Sequence, residues 1–224
     1  MLDCNSLIDY TLLDLNATKM DLISLCLKAI KLGVASVCVY PKHVPIVSEL
    51  LKGTNVLTCS VISFPKGNNT VEEKMRETEE AIINGADEID LVLNYHLIAD
   101  LDYLKSELLA IVNCCTNIHS KIGQSITLKV IVESGLLSLE ETGIVTQLCI
   151  DTKVDFIKTS TGKASVGAEL SKVKMMYETI VSSNSNLKIK ASGGIRTLED
   201  ISQYLPYVNR LGIGYQSVDL LCGI

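Results

Sequence analysis

The chain has 224 residues, 47% of them hydrophobic and 21% charged. That is enough to bury a large core, and no low-complexity tract argues for disorder. A formal charge of −6 leaves no basic footprint for nucleic acid or an anionic membrane surface, so an anionic substrate would need a local pocket. No run approaches the roughly 18 apolar residues of a membrane span, and no basic segment followed by a long apolar run opens the chain, which makes the cytoplasm the expected location.

In chain order, apolar β-rich runs at 7–9, 36–40, 56–62, 88–93, 127–132, 155–158, 187–190 and 210–213 alternate with helical segments. This is the βαβα rhythm of a parallel sheet covered by helices. Between the first two runs, Leu22, Leu25, Cys26, Ala29 and Ile30 recur at helical spacing, with Thr18 placed as N-cap and Gly33 as stop. Capping boxes stand at Thr70-x-x-Glu73 and Ser138-x-x-Glu141, and a weaker one at Thr197-x-x-Asp200. No linker interrupts the alternation, so residues 1–224 are expected to form a single-domain (β/α)8 TIM barrel, since eight β/α units in about 220 residues fit a closed barrel. The alternative is a doubly wound open sheet. That fold usually carries a glycine-rich turn after its first strand, where this chain has Asp9-Tyr10-Thr11-Leu12.

Eight cysteines raise the question of disulfides, but Cys26, Cys38, Cys59 and Cys149 sit inside apolar segments and are expected to be buried thiols. Cys114 and Cys115 are adjacent rather than spaced as Cys-x-x-Cys, and His43, His96 and His119 lie far apart, so no zinc site is expected.

Barrel chemistry sits at the C-terminal ends of strands, where three polar residues stand out. Lys158 closes the run Val154-Asp155-Phe156-Ile157 and precedes a small polar loop, Thr159 to Lys163. Burial and a second nearby cation would both favour its free amine, the form that attacks a carbonyl. Lys190 ends the following run and is placed to supply that cation, because neighbouring parallel strands lie about 4.8 Å apart. Asp90 is flanked by Ile89, Leu91 and Val92, where a carboxylate is costly unless paired. Each residue also has a plainer reading: a strand-end lysine snorkelling to solvent for Lys158 and Lys190, a structural salt bridge for Asp90. Gly193 and Gly194 after the seventh strand, with Gly212 and Gly214 at the end of the eighth, would expose backbone N–H groups where barrels often hold phosphate, although tight turns need glycine too.

The segments Asp155-Phe156-Ile157-Lys158-Thr159-Ser160-Thr161-Gly162-Lys163 and Lys190-Ala191-Ser192-Gly193-Gly194-Ile195-Arg196-Thr197 together resemble the two signatures of deoxyribose-phosphate aldolase. The similarity extends through Leu7-Ile8-Asp9, Cys38-Val39-Tyr40-Pro41, Gly85-Ala86-Asp87-Glu88-Ile89-Asp90 and Leu128-Lys129-Val130. The resemblance implies reversible cleavage of 2-deoxy-D-ribose 5-phosphate to acetaldehyde and D-glyceraldehyde 3-phosphate, without metal or cofactor, in a homodimer or homotetramer. It makes Lys158 the imine-forming residue, Lys190 the cation that tunes it and Asp90 the proton relay. Lys163, Gly193 and Gly194 correspond to phosphate contacts, Gly162 and Gly212 count among the substrate-binding positions, and Asp9, Cys38 and Lys129 match pocket positions. The chain departs from the pattern after the first strand, where Tyr10 stands in place of a histidine, and after the last, where Gly214-Tyr215-Gln216 replaces serines. The second departure leaves backbone amides to bind the anion, with weaker phosphate affinity or an altered substrate as the alternative.

Overall fold

The computed structural model describes residues 4–123 and 125–223. Residues 1–3, 124 and 224 of the expected domain lie outside the described residues. Eight strands run in chain order: β1 (Ile8–Leu12), β2 (Ser36–Val39), β3 (Leu57–Ile62), β4 (Glu88–Val92), β5 (Thr127–Ile131), β6 (Phe156–Lys158), β7 (Lys188–Ser192) and β8 (Arg210–Gly214). All pair in parallel, and β8 returns to β1, which closes the barrel. A helix follows each strand: α1 (Lys19–Leu32), α2 (Val44–Leu51), α3 (Val71–Ile83), α4 (Leu101–Ile122), α5 (Leu139–Asp151), α6 (Leu170–Ser182), α7 (Leu198–Tyr204) and α8 (Tyr215–Cys222). The expected (β/α)8 architecture is present, and the open-sheet alternative is excluded by the β1–β8 pairing. No described helix is long and apolar enough to cross a membrane.

Local sequence sets the helix starts. Thr18, Thr70, Ser138 and Thr197 each accept from the backbone N–H three residues on, while the acidic side chain there reaches back to the cap. The box at Thr197, the weaker one by sequence, is therefore as complete as the others. Gly33 ends α1 in the left-handed conformation (φ 65°).

Strands buried on both faces divide their side chains between two layers. Outward residues such as Tyr10, Val37, Val39, Ile89, Leu91 and Val130 join the main core beneath the helices. Inside the barrel, Cys38, Cys59 and Val61 form a separate small apolar cluster, and charged groups surround it.

Two strands run further than hydrophobicity alone indicates. β1 continues through Leu12 because Tyr10 and Leu12 pack outward while Asp9 and Thr11 take the opposite face. β7 continues through Ser192, so Lys190 is a mid-strand residue rather than a terminal one. A run read by hydrophobicity stops at the first polar residue, whereas in a barrel whose interior is charged the strand carries on past it.

Candidate active site

Seven charged side chains meet inside the barrel: Asp9 from β1, Glu88 and Asp90 from β4, Lys129 from β5, Lys158 from β6, Lys190 from β7 and Arg210 from β8. Register brings them together, since Asp90 pairs with Lys129, Lys158 with Lys190, and Lys190 with Arg210. The Lys158 Nζ donates to Asp90 Oδ2 at 2.7 Å, and the Lys190 Nζ donates to that same oxygen at 2.6 Å. Lys129 Nζ donates to Asp90 Oδ1 at 2.9 Å and to Glu88 Oε2 at 2.6 Å. Lys190 also pairs with Asp9, and Arg210 joins Asp9 (2.6 Å) to Glu88 (3.1 Å). Ser36 Oγ donates to Asp9 at 2.7 Å.

Such a cluster is tolerable in a low-dielectric interior because every charge is paired. Burial alone would raise the Asp90 pKa, but Lys129, Lys158 and Lys190 together hold it well below the usual carboxylate range. Asp9 is treated the same way by Lys190, Lys129 and Arg210. Burial opposes protonation of Lys190, yet Asp9 and Asp90 outweigh it and raise its pKa, so Lys190 is a fixed cation. Lys129 is raised well above its ordinary value by Asp90, Cys59, Asp9 and Glu88, against its own burial.

The three lysines differ in access. Lys129 and Lys190 are fully buried, whereas Lys158 is 4% exposed and reaches the floor of a cavity of about 490 Å³ at the C-terminal end of the barrel. Gly162, Lys163, Gly193, Gly194 and Gly212 line the same cavity. Asp9, Cys38, Asp90, Lys129 and Lys190 lie beneath it, closed from solvent. Thr161, Ser192 and Arg196, which the sequence does not single out as pocket residues, line it too, as do Tyr215 and Gln216 of the loop that departs from the family pattern.

The loops after β6 and β7 are fastened to each other. Thr159 Oγ1 donates to the Ser192 carbonyl and accepts from the Ser192 N–H, both at 2.9 Å, and Ser192 Oγ donates to the Ser160 carbonyl at 2.5 Å. Gly193 (φ 90°) permits the approach, because a Cβ there would lie 3.1 Å from Gly167 Cα and 3.2 Å from Ser160 Cβ. Gly212 has a packing reason beyond its N–H: a Cβ would come within 2.7 Å of Ser192 Cβ and 3.1 Å of Lys190 Cε.

Below the lysines, Cys38 and Cys59 pair in register and, with Asp90, place their ligand atoms within 4.8 Å of one another. Lys129 already donates to both Cys59 Sγ (3.3 Å) and Asp90 Oδ1 (2.9 Å), so ammonium groups fill the role of counter-ion there. Cys26, Cys38, Cys59 and Cys149 are buried thiols, as expected.

The two departures from the family pattern touch. Tyr10 and Tyr215 meet edge to face, with ring centroids 6.3 Å apart. Tyr10 donates its hydroxyl to Asp219 of α8, which Lys28 of α1 also contacts at 2.5 Å. This latch seats the helix whose first residues line the cavity. Nothing local in the sequence links positions 209 residues apart.

A sequence model described as DeoC/LacD family aldolase matches residues 6–207. The chain is 42% identical over 201 residues to the deoxyribose-phosphate aldolase of Mycoplasmoides pirum, covering 90% of this chain and 88% of that one. With the enzyme of that name from Treponema denticola it shares 39% identity over 225 residues, covering 100% and 97%. Among solved structures, an aldolase named QR15 superposes with a TM-score of 0.84 at 34% identity, covering 97% of this chain and 94% of that one. A tetrameric deoxyribose phosphate aldolase from Aeropyrum pernix gives 0.84 at 28% identity, covering 96% and 88%. With its closed barrel, its lysine-floored cavity and a family match over nearly its whole length, the chain belongs to the DeoC/LacD family of aldolases.

Proposed function

We propose that this chain cleaves 2-deoxy-D-ribose 5-phosphate, reversibly, to acetaldehyde and D-glyceraldehyde 3-phosphate through an imine on Lys158. One observation carries the assignment of the nucleophile. Of the three lysines around Asp90, Lys158 alone opens on to the cavity, and among the described residues it is ion-paired to a single carboxylate. Lys129 contacts three carboxylates and Lys190 two.

In this reading the Lys158 amine adds to C1 of the open-chain sugar and loses water to give a protonated imine. Acetaldehyde is the C1–C2 fragment, so the bond that breaks is C2–C3. Its electron pair moves into the C1–C2 bond as the imine nitrogen accepts charge, and the C3 hydroxyl gives up its proton as the C3 carbonyl forms. The enamine then takes a proton at C2, and water releases acetaldehyde from Lys158. Covalent catalysis thus divides one difficult cleavage into easier steps. Asp90, held ionised by three lysines, relays these protons through a bound water. Lys163 and the backbone at Gly162, Gly193, Gly194 and Gly212 hold the phosphate at the far end of the cavity, which orients the reacting carbons. Asp9 and Lys129 support the reacting groups from below, and Cys38 packs against Asp90, 3.9 Å from its Oδ2.

The same reading makes residues 1–224 one catalytic domain working on a small sugar phosphate in the cytoplasm, without nucleic acid, as a homodimer or homotetramer. The test is cleavage of 2-deoxy-D-ribose 5-phosphate by the wild type and by Lys158→Leu, with circular dichroism to confirm folding. A folded, inactive variant beside an active wild type supports the assignment; near-normal turnover by the variant refutes it.

A further inference from the structure

Glu133 bears two costs for which the reaction above has no use. It follows β5 in the left-handed region (φ 51°, ψ 50°), which side chains with a Cβ rarely adopt and which clusters at functional sites. Its carboxyl is also buried at 1% exposure, and burial pushes its pKa up despite the opposing hydrogen bonds of Thr161 and the charge of Lys158.

What holds it there is Thr161. The Thr161 hydroxyl donates to Glu133 Oε2 at 2.6 Å, and the Thr161 N–H approaches the same oxygen at 3.2 Å. The Thr161 Oγ1 in turn accepts the Lys163 N–H at 3.1 Å. A chain of bonds therefore runs from a buried carboxyl to the backbone of the cavity loop that carries Gly162 and Lys163. On either side of Glu133 the backbone is tied to β6 independently: Val132 N–H donates to the Lys158 carbonyl at 3.0 Å and Ser134 N–H to the Thr159 carbonyl at 2.8 Å. Those ties hold Lys158, and they do not involve the Glu133 side chain.

We propose that Glu133 is a positioning residue for the anionic end of the substrate: through Thr161 it fixes the Gly162–Lys163 loop at the cavity, separately from the amine chemistry at Lys158. The proposal rests on the sugar-phosphate reading given above. A loop held in its bound shape before the ligand arrives avoids the ordering entropy otherwise lost on binding, which accounts for a strained, buried carboxyl being kept at this position.

The test compares wild type, Glu133→Gln, Thr161→Val and the double variant on 2-deoxy-D-ribose 5-phosphate and on unphosphorylated 2-deoxy-D-ribose, with hydrogen–deuterium exchange of the 159–163 segment. Each single variant is expected to raise KM for the phosphorylated sugar about tenfold with a much smaller change in kcat, and to lower selectivity for it over the unphosphorylated sugar by a similar factor. The double variant is expected to be no worse than the poorer single one, as for residues acting in one chain of contacts. Exchange of 159–163 should rise while the rest of the barrel is unchanged. Equal losses on both sugars, or exchange at 159–163 left as in wild type, would overturn the proposal. A wild type that cleaves neither sugar defeats the functional reading instead, and the exchange measurement then still decides whether Glu133 orders the loop.

Discussion

Lys158 and Lys190 stand at paired positions of β6 and β7 and donate to one oxygen, Asp90 Oδ2, at 2.7 and 2.6 Å. Their roles divide by what else each touches: Lys190 reaches Asp9 as well, and Lys158 reaches the cavity. Replacing Lys190 by Met strips a cation from two buried carboxylates. The expected destabilisation is about 3–5 kcal/mol, the range for breaking a buried pair from one side. For molecules that remain folded, kcat should fall on the order of 100-fold or more, comparable to removing a preorganised charge from an active site. Urea unfolding and assays below the unfolding midpoint separate the two effects.

The barrel interior also sets the acid limit of stability. Asp9 and Asp90 have folded pKa values below the ordinary 3.8. A depressed carboxyl contributes stability that is fully present above its unfolded pKa and is lost as pH falls through the folded value. Stability should therefore decline below about pH 5 as the unfolded chain begins to take up protons. Asp9→Asn should be less stable at neutral pH and show a flatter decline between pH 5 and 2, read from urea midpoints across that range. Lys190, whose pKa is raised above 10.5, acts in the opposite sense: its contribution is present below that value and is lost only as pH climbs past it.

Two glycines near the end of β8 should respond differently to alanine. At Gly212 a methyl group would collide with Ser192 Cβ and Lys190 Cε, while at Gly214 it would meet no described residue within 4 Å apart from its chain neighbours. Gly212→Ala should cost about 1–3 kcal/mol, as overpacking does, and lower turnover by displacing Lys190. Gly214→Ala should change stability by no more than about 0.5 kcal/mol. Thermal unfolding of the pair checks both.

Much of this was legible in the chain itself because the fold uses local signals. The caps at Thr18, Thr70 and Ser138 and the stop at Gly33 are short-range chemistry, and the eight apolar runs mark the eight strands to within a few residues. Lys158 was visible as a cation closing an apolar run. Glu88 and Arg210 were not singled out, because each looks like an ordinary polar strand start until register turns it into the barrel alongside Asp9 and Lys129. Asp9 and Lys190 were visible, but as strand ends rather than mid-strand groups. The Tyr10–Asp219 latch and the left-handed Glu133 depend on contacts between distant segments, and no periodicity encodes those.

The central claim is that the Lys158 amine itself becomes bonded to substrate carbon. Incubation with acetaldehyde and borohydride, followed by peptide mass mapping, tests it directly. An ethyl group should appear on the peptide holding Lys158 and be absent from those holding Lys129 and Lys190. Label on Lys190 instead, or no label in protein that cleaves the sugar phosphate, would contradict the account.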